Sequence, residues 1–144
     1  MNALPLLLLT AVSGFAITLQ GQLMGLMDRS MGTRTSVLIT YGGGAVVASM
    51  LALFAGGINF QQRTEVPWYA YTAGLLGLLI VGATGYVVPR MGAAKGFTLI
   101  VAFQFLLALL IDHYGLLGAT QRPLDLTRAS GIVAMMAGVW LVVR

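Results

Sequence analysis

The sequence predicts an all-α, polytopic membrane protein with five transmembrane helices that forms an antiparallel, inverted dimer. Of its 144 residues, 58% are hydrophobic and only 8% are charged, and the mean hydropathy is +0.91. Soluble domains are about 45–50% apolar and about 25% charged. Nineteen glycines in this apolar background suit closely packed membrane helices. In addition, Lys and Arg are distributed almost evenly between the two predicted sides of the membrane.

Apolar runs bounded by charges or turn residues divide the chain into five segments, each near the ~20 residues needed to cross the hydrocarbon core. The predicted spans are approximately 4–27, 36–55, 68–88, 92–112 and 126–143. The connections between them carry nearly all of the charge, and none is long enough for a soluble domain. We therefore expect a single membrane domain over residues 1–144.

The first segment is predicted to be a retained helix, because it lacks a basic n-region and its apolar run exceeds the ~7–15 residues of a signal peptide. At 100° per residue, Ser13 and Gln20 share one face, while Gln22 lies on another. One polar face is expected to line a cavity. Gly21-x-x-x-Gly25 would let a neighbouring backbone approach closely.

Polar side chains inside membrane helices are costly and mark candidate functional positions. Tyr41, followed by three glycines, suits either a kink beside a cavity or tight packing, and Gln104 lies in the middle of the fourth segment. The predicted substrate-binding residues are Gln20, Gln104, Ser13 and Tyr41. The alternative for both glutamines is a hydrogen bond between helices.

Asp112 and His113 end the fourth segment, and Gly115 supplies a left-handed stop just beyond them. Lys95 lies 17 residues earlier, about 26 Å along a helix, so these charges mark opposite membrane faces. If the protein couples transport to protons, Asp112 and His113 are the titratable pair available for this coupling. Asp112 alternatively serves as an anchor at the helix end.

Asp112 requires a cationic partner. Arg122 and Arg128 are available on the same side of the same chain. In an antiparallel dimer, Arg90 and Lys95 of the second copy would be carried to this face. We therefore predict an ion pair across the dimer as the sharper hypothesis.

The distribution of Lys and Arg gives a weak orientation signal. Three of these residues lie on one side of the predicted membrane and five on the other, which nominally places the N-terminus outside. A chain so evenly balanced can insert in both directions. Two tandem copies with an odd number of spans would lie inverted, like the repeats of many secondary transporters. An unfused chain would reach the same geometry by pairing with a copy inserted in the opposite direction.

The sequence contains no pattern typical of a catalytic, cofactor or metal site. The chain has one histidine and no cysteine, and it lacks a phosphate-binding loop and any pair of carboxylates within a span. We expect neither an enzyme nor a cofactor or metal site. A net charge of +4 spread over short loops suits contact with the lipid bilayer rather than with nucleic acid.

Several motifs carry a resemblance over nearly the whole chain. They are "LQGQL" in the first segment, "PRMGAA" before the fourth, "LLIDHYGLLG" at its end, "RPL" in the next loop and "GVWLV" in the last segment. With them the sequence resembles the five-helix YdcZ family of bacterial inner-membrane proteins in the drug/metabolite transporter superfamily. It departs from the expected pattern at Met24, where Asn is expected, and at Phe103, where Gly is expected.

The resemblance implies a small-molecule secondary transporter, or half of one, in the bacterial inner membrane. It would work by alternating access in an antiparallel homodimer or with a paired homologous subunit. The membrane-embedded acid of the related small multidrug resistance proteins has no counterpart in the first segment. A dual-topology ion channel and a non-transporting packing subunit are the alternatives.

Overall fold

The computed structural model describes residues 3–57 and 66–144, and the regular structure in these ranges is helical. The helices are α1 (Ala3–Phe54), α2 (Ala73–Met91), α3 (Ala93–Tyr114) and α4 (Leu126–Val143), with 3₁₀ turns at Trp68–Thr72 and Leu116–Gly118. Four helices are long and apolar enough to cross a membrane, when the first 3₁₀ turn is counted with α2. The all-α prediction is confirmed for the described ranges.

Helix α1 is interrupted at Gly32, where φ is 79° and ψ is 160°. This backbone conformation is essentially restricted to glycine, because a Cβ would clash with the flanking peptide groups. We call residues 3–31 the first arm of α1 and residues 33–54 the second arm. The first arm contains the predicted span 4–27, and the second arm contains the predicted span 36–55 except for its last residue.

The two arms fold back on each other as a hairpin. The hydroxyl of Ser36 donates to the carbonyl oxygen of Met24 over 3.2 Å, and both residues are fully buried. In a continuous helix these residues would be about 18 Å apart along the axis, since each residue rises 1.5 Å. The break at Gly32 therefore reverses the chain direction.

Helix α2 packs against the hairpin through glycines, within a compact unit formed by residues 1–90. A Cβ placed on Gly25 would lie 3.5 Å from the ring of Pro89, and one on Gly85 would lie 3.0 Å from Cε of Met24. Gly25 thus permits the close approach predicted from its Gly-x-x-x-Gly motif.

Residues 91–144 form a second compact unit, in which α3 packs on α4. Phe97 and Ala102 in the first half of α3 share a groove with Met135 and Val142 in the second half of α4, so the two helices are antiparallel. Helix α3 ends at Gly115 in the left-handed conformation, with φ of 63°, which confirms the predicted stop. The single membrane domain stays a prediction.

Two helices continue beyond the ends of the predicted spans into charged residues. Helix α2 continues beyond residue 88 to Met91, so Arg90 lies in its last turn rather than in a connection. The first arm likewise continues beyond residue 27 through Asp28. The side chains of these two residues form an ion pair. Arg63 and Glu65 of the second predicted connection lie outside the described residues.

Candidate functional site

An open groove of about 390 Å³ lies in the first unit, between the hairpin and α2. Residues spaced three and four apart on the second arm form most of its wall, because such residues share one helix face. The lining includes Gln20 from the first arm, Val81 from α2, and Thr40, Tyr41, Gly44 and Ala48 from the second arm. Two of the four predicted substrate-binding residues, Gln20 and Tyr41, are therefore brought together.

The polar atoms of this groove differ in their availability. The hydroxyl of Thr40 donates to the carbonyl oxygen of Ser36 over 2.9 Å, within its own helix. Within residues 3–57 and 66–144, neither the Gln20 amide nor the Tyr41 hydroxyl forms a hydrogen bond. The groove thus offers one free amide and one free hydroxyl on an otherwise small and apolar wall.

The other two predicted residues lie elsewhere. Ser13 is exposed on the first arm, and its hydroxyl donates to the carbonyl oxygen of Leu9 over 2.8 Å. Gln104 is exposed on α3, in the second compact unit. Spacing along one helix places residues on a common face, but it does not reveal which faces of different helices meet.

A partly buried ion pair connects the hairpin to α2. Arg90 Nη1 donates to Asp28 Oδ2 over 3.0 Å, and the side chain of Asp28 is only 5% exposed. The Thr33 hydroxyl, just beyond the turn, donates to the other oxygen of the same carboxylate. The pair therefore joins both arms of α1 to the last turn of α2.

The guanidinium of Arg90 is also held by its own helix. Nη1 donates to the carbonyl oxygen of Tyr86 over 2.7 Å, and Cζ lies 3.6 Å from the centroid of the Tyr86 ring. A cation over an aromatic face is attracted by the ring quadrupole. Arg90 is thus oriented from two sides, although its side chain is 47% exposed.

The importance of Asp28 was missed by the sequence interpretation, which treated it as a charge in a connection. The signal in the sequence was an acid at the end of an apolar run, followed by a glycine and, five residues after the acid, by a threonine. Its cation lies 62 residues away in sequence. No local pattern specifies such a pairing.

Asp112 is half-buried in the last turn of α3, and its side chain has no ion pair or hydrogen bond within the described ranges. The backbone carbonyl oxygen of Asp112 accepts a hydrogen bond from the backbone N–H of Arg122 over 2.7 Å. The guanidinium of Arg128 donates instead to the carbonyl oxygen of Arg122 over 2.9 Å. The proposed ion pairs of Asp112 with these two arginines are therefore not formed in the chain.

Lys95, in the first turn of α3, is half-buried and forms no ion pair with any residue that the structure describes. Arg90, the other predicted partner for Asp112, is engaged by Asp28. Of the two cations considered for a contact across a dimer, Lys95 is the one that remains available. The contact itself stays a prediction.

His113 has a local structural contact. Its Nδ1 accepts from the backbone N–H of Leu124 over 3.1 Å, and its carbonyl oxygen accepts from Gln121 Nε2 over 3.2 Å. These bonds fold the loop after α3 back onto the helix end.

The long apolar helices define a multi-pass membrane protein. Residues 5–141 match the family described as "Putative inner membrane exporter, YdcZ", and the chain belongs to this family of the drug/metabolite transporter type. The predicted family and the predicted inner-membrane location are thereby confirmed, and the family is one of transporters rather than enzymes. Comparisons with curated proteins and with solved structures gave no match.

Proposed function

We propose that the protein is a small-molecule secondary transporter that works by alternating access in an antiparallel dimer. The observation that carries this proposal is the groove lined by both Gln20 and Tyr41, in a chain that belongs to an exporter family. Both residues are polar groups within apolar helices, where such groups are costly and mark substrate pathways. In this scheme the groove is the substrate site.

The chain would cross the membrane five times, because the break at Gly32 divides α1 into two arms that each suit one crossing. A 52-residue helix would otherwise extend about 78 Å, far beyond the ~30 Å of hydrocarbon. With five crossings, two copies inserted in opposite directions would place their grooves in an inverted relation. In this proposal the two copies adopt different conformations, and alternating access follows when each copy takes up the conformation of the other.

The dimer contact that we propose joins Asp112 of one copy to Lys95 of the other. Both residues lie on α3, at opposite ends, and both lack an ionic partner among the described residues. Antiparallel packing of two copies of α3 would form this pair twice by two-fold symmetry. Arg90 is the weaker candidate because Asp28 already binds it.

Orientation in intact cells is the test. The chain contains no native cysteine, so single cysteines at Ser30 and Thr120 can be labelled cleanly with a membrane-impermeant maleimide. Both side chains are exposed, and they lie in the first and fourth connections, on opposite sides of a five-span protein. We expect each site to be about half accessible before permeabilisation.

Labelling of only one site would show a fixed orientation and would exclude the antiparallel homodimer. The channel alternative is tested separately by reconstitution in planar bilayers. A large passive conductance would favour a pore, whereas its absence, together with flux driven by an ion gradient, would favour a transporter. A dimer without a water-filled centre would favour a packing subunit.

A further inference from the structure

The groove between the hairpin and α2 has a chemical character that restricts its ligand. None of the described residues lining it is charged, and its walls include the small residues Gly44 and Ala48 and the apolar Val81. A permanently charged ligand would lose hydration there without gaining a counter-charge, which is strongly unfavourable. Its volume of about 390 Å³ lies at the small end of the range for ligand sites.

The free polar atoms of the groove are those of Gln20 and Tyr41. A primary amide both donates and accepts hydrogen bonds, and so does a phenolic hydroxyl. Together they match an uncharged group with the same dual capacity, such as an amide or an alcohol. Thr40 contributes less, because its hydroxyl proton is already donated to Ser36.

Gly77 on α2 leaves the space that the Tyr41 hydroxyl occupies. The hydroxyl oxygen occupies the volume that a Cβ on Gly77 would fill. The remainder of the ring is less restricted, since the nearest ring carbon would lie 3.4 Å from that Cβ. Gly74, one turn earlier on the same helix, has open space around its Cβ position. The contact is therefore specific to Gly77 and to the hydroxyl.

We propose that the groove binds a small uncharged molecule whose hydrogen-bonding group is held by Gln20 and Tyr41, and that Gly77 is the positioning residue for the Tyr41 hydroxyl. This inference rests on the proposed function only in taking the groove as the transport site. It names the substrate class as neutral and amphiphilic, unlike the cations that a membrane-embedded acid would select.

Binding to the full-length protein in lipid nanodiscs tests the ligand class. The probes are matched amides, carboxylates and primary ammonium compounds that carry the same phenyl, cyclohexyl or isobutyl group. Their binding is measured by saturation-transfer NMR at pH 7. Ala48→Phe fills the groove and serves to subtract partition into lipid. We expect groove-dependent binding of at least one amide, weakened about 3- to 10-fold by Gln20→Leu or Tyr41→Phe, as loss of one hydrogen bond implies.

Groove-dependent binding of the carboxylates or ammonium compounds in preference to the amides would overturn the inference, and so would equal binding of all probes to wild type and Ala48→Phe. Neither result bears on transport, which the orientation and flux experiments test independently. Conversely, groove-dependent amide binding in a protein with fixed orientation would support the proposed ligand class and refute the proposed antiparallel dimer.

The role of Gly77 is tested with the same amide. Gly77→Ala should lower both the Tm and amide affinity, while Gly74→Ala should change neither affinity nor fold. Adding Tyr41→Phe to Gly77→Ala removes the clashing oxygen and should restore the Tm without restoring affinity. If the double variant binds the amide like wild type, or if Gly77→Ala leaves amide affinity unchanged, Gly77 does not position the hydroxyl.

Discussion

At the scale of single residues, the most informative group is the carboxylate of Asp28. Each of its oxygens has a partner, Thr33 for one and Arg90 for the other. A buried acid with both oxygens hydrogen-bonded is stable only while its partners remain, because an unpaired buried charge is costly. The three side chains therefore act as one unit that fixes the turn of the hairpin against α2.

Loss of the cation should destabilise the protein. We expect Arg90→Ala to lower the Tm in detergent clearly more than Arg34→Ala, since Arg34 is exposed and has no ionic partner within the described ranges. Because Asp28→Ala removes the same interaction, the Asp28→Ala/Arg90→Ala variant should lose less than the sum of the two single changes. Strictly additive losses would show that the pair does not couple.

At the scale of elements, glycines control both the turn and the packing of α1. Gly32 permits the reversal of the chain, and Gly25 permits contact with Pro89. These glycines differ from those of the second arm, where Gly42 and Gly43 have open space around their Cβ positions. The same residue type therefore has different consequences along one helix, depending on backbone conformation and neighbours.

Gly32→Ala should reduce the free energy of unfolding by about 1–3 kcal/mol, the cost of holding a Cβ in this backbone region. Gly42→Ala is the matched control, because it adds a Cβ to a regular helix in open space and should be neutral or stabilising. Reversible unfolding in mixed detergent provides the measurement. Equal effects of the two changes would contradict the assigned role of Gly32.

Gly25→Leu should be destabilising by about 1–3 kcal/mol, as expected for overpacking of a close contact. Gly25→Ala should be tolerated, because its Cβ would meet Pro89 at an ordinary distance of 3.5 Å. Gly14→Leu, in the same arm and with open space around it, is the control. A loss with Gly14→Leu as large as that with Gly25→Leu would show that packing on Pro89 is not responsible.

At the scale of the whole molecule, large apolar side chains are exposed along every helix. Examples are Phe15 at 76%, Leu79 at 69%, Phe103 at 69% and Leu141 at 68%. In a membrane protein these surfaces contact lipid or other helices, and small or polar groups rather than bulk hydrophobicity select the helix partners. The free charges on α3 are therefore the informative features for assembly.

Charge exchange tests the dimer proposed above. Asp112→Lys and Lys95→Asp should each reduce the dimer fraction, because each places like charges in contact across the two-fold axis. The double variant restores opposite charges and should recover dimer formation, measured by crosslinking in nanodiscs. Reversal of Arg34, which lies outside this contact, is the control. Failure of the double variant to recover more than the singles would exclude the pair.

The sequence by itself determined the membrane class, the helical architecture and the family, because hydrophobic run length, charge placement and motifs are local properties. It also indicated Gln20 and Tyr41 as polar positions inside apolar helices, and Gly115 as a helix end. Each of these conclusions depends on residues close together in the chain.

Only the tertiary structure decided which of these positions meet. Gln20 and Tyr41 line one groove, whereas Ser13 bonds to its own helix. Asp28 binds a cation 62 residues away, and Arg90 was thereby removed from the partners open to Asp112. The physical reason is that helix periodicity fixes which residues share a face, while the direction of each turn and the rotation of each helix depend on packing between distant segments.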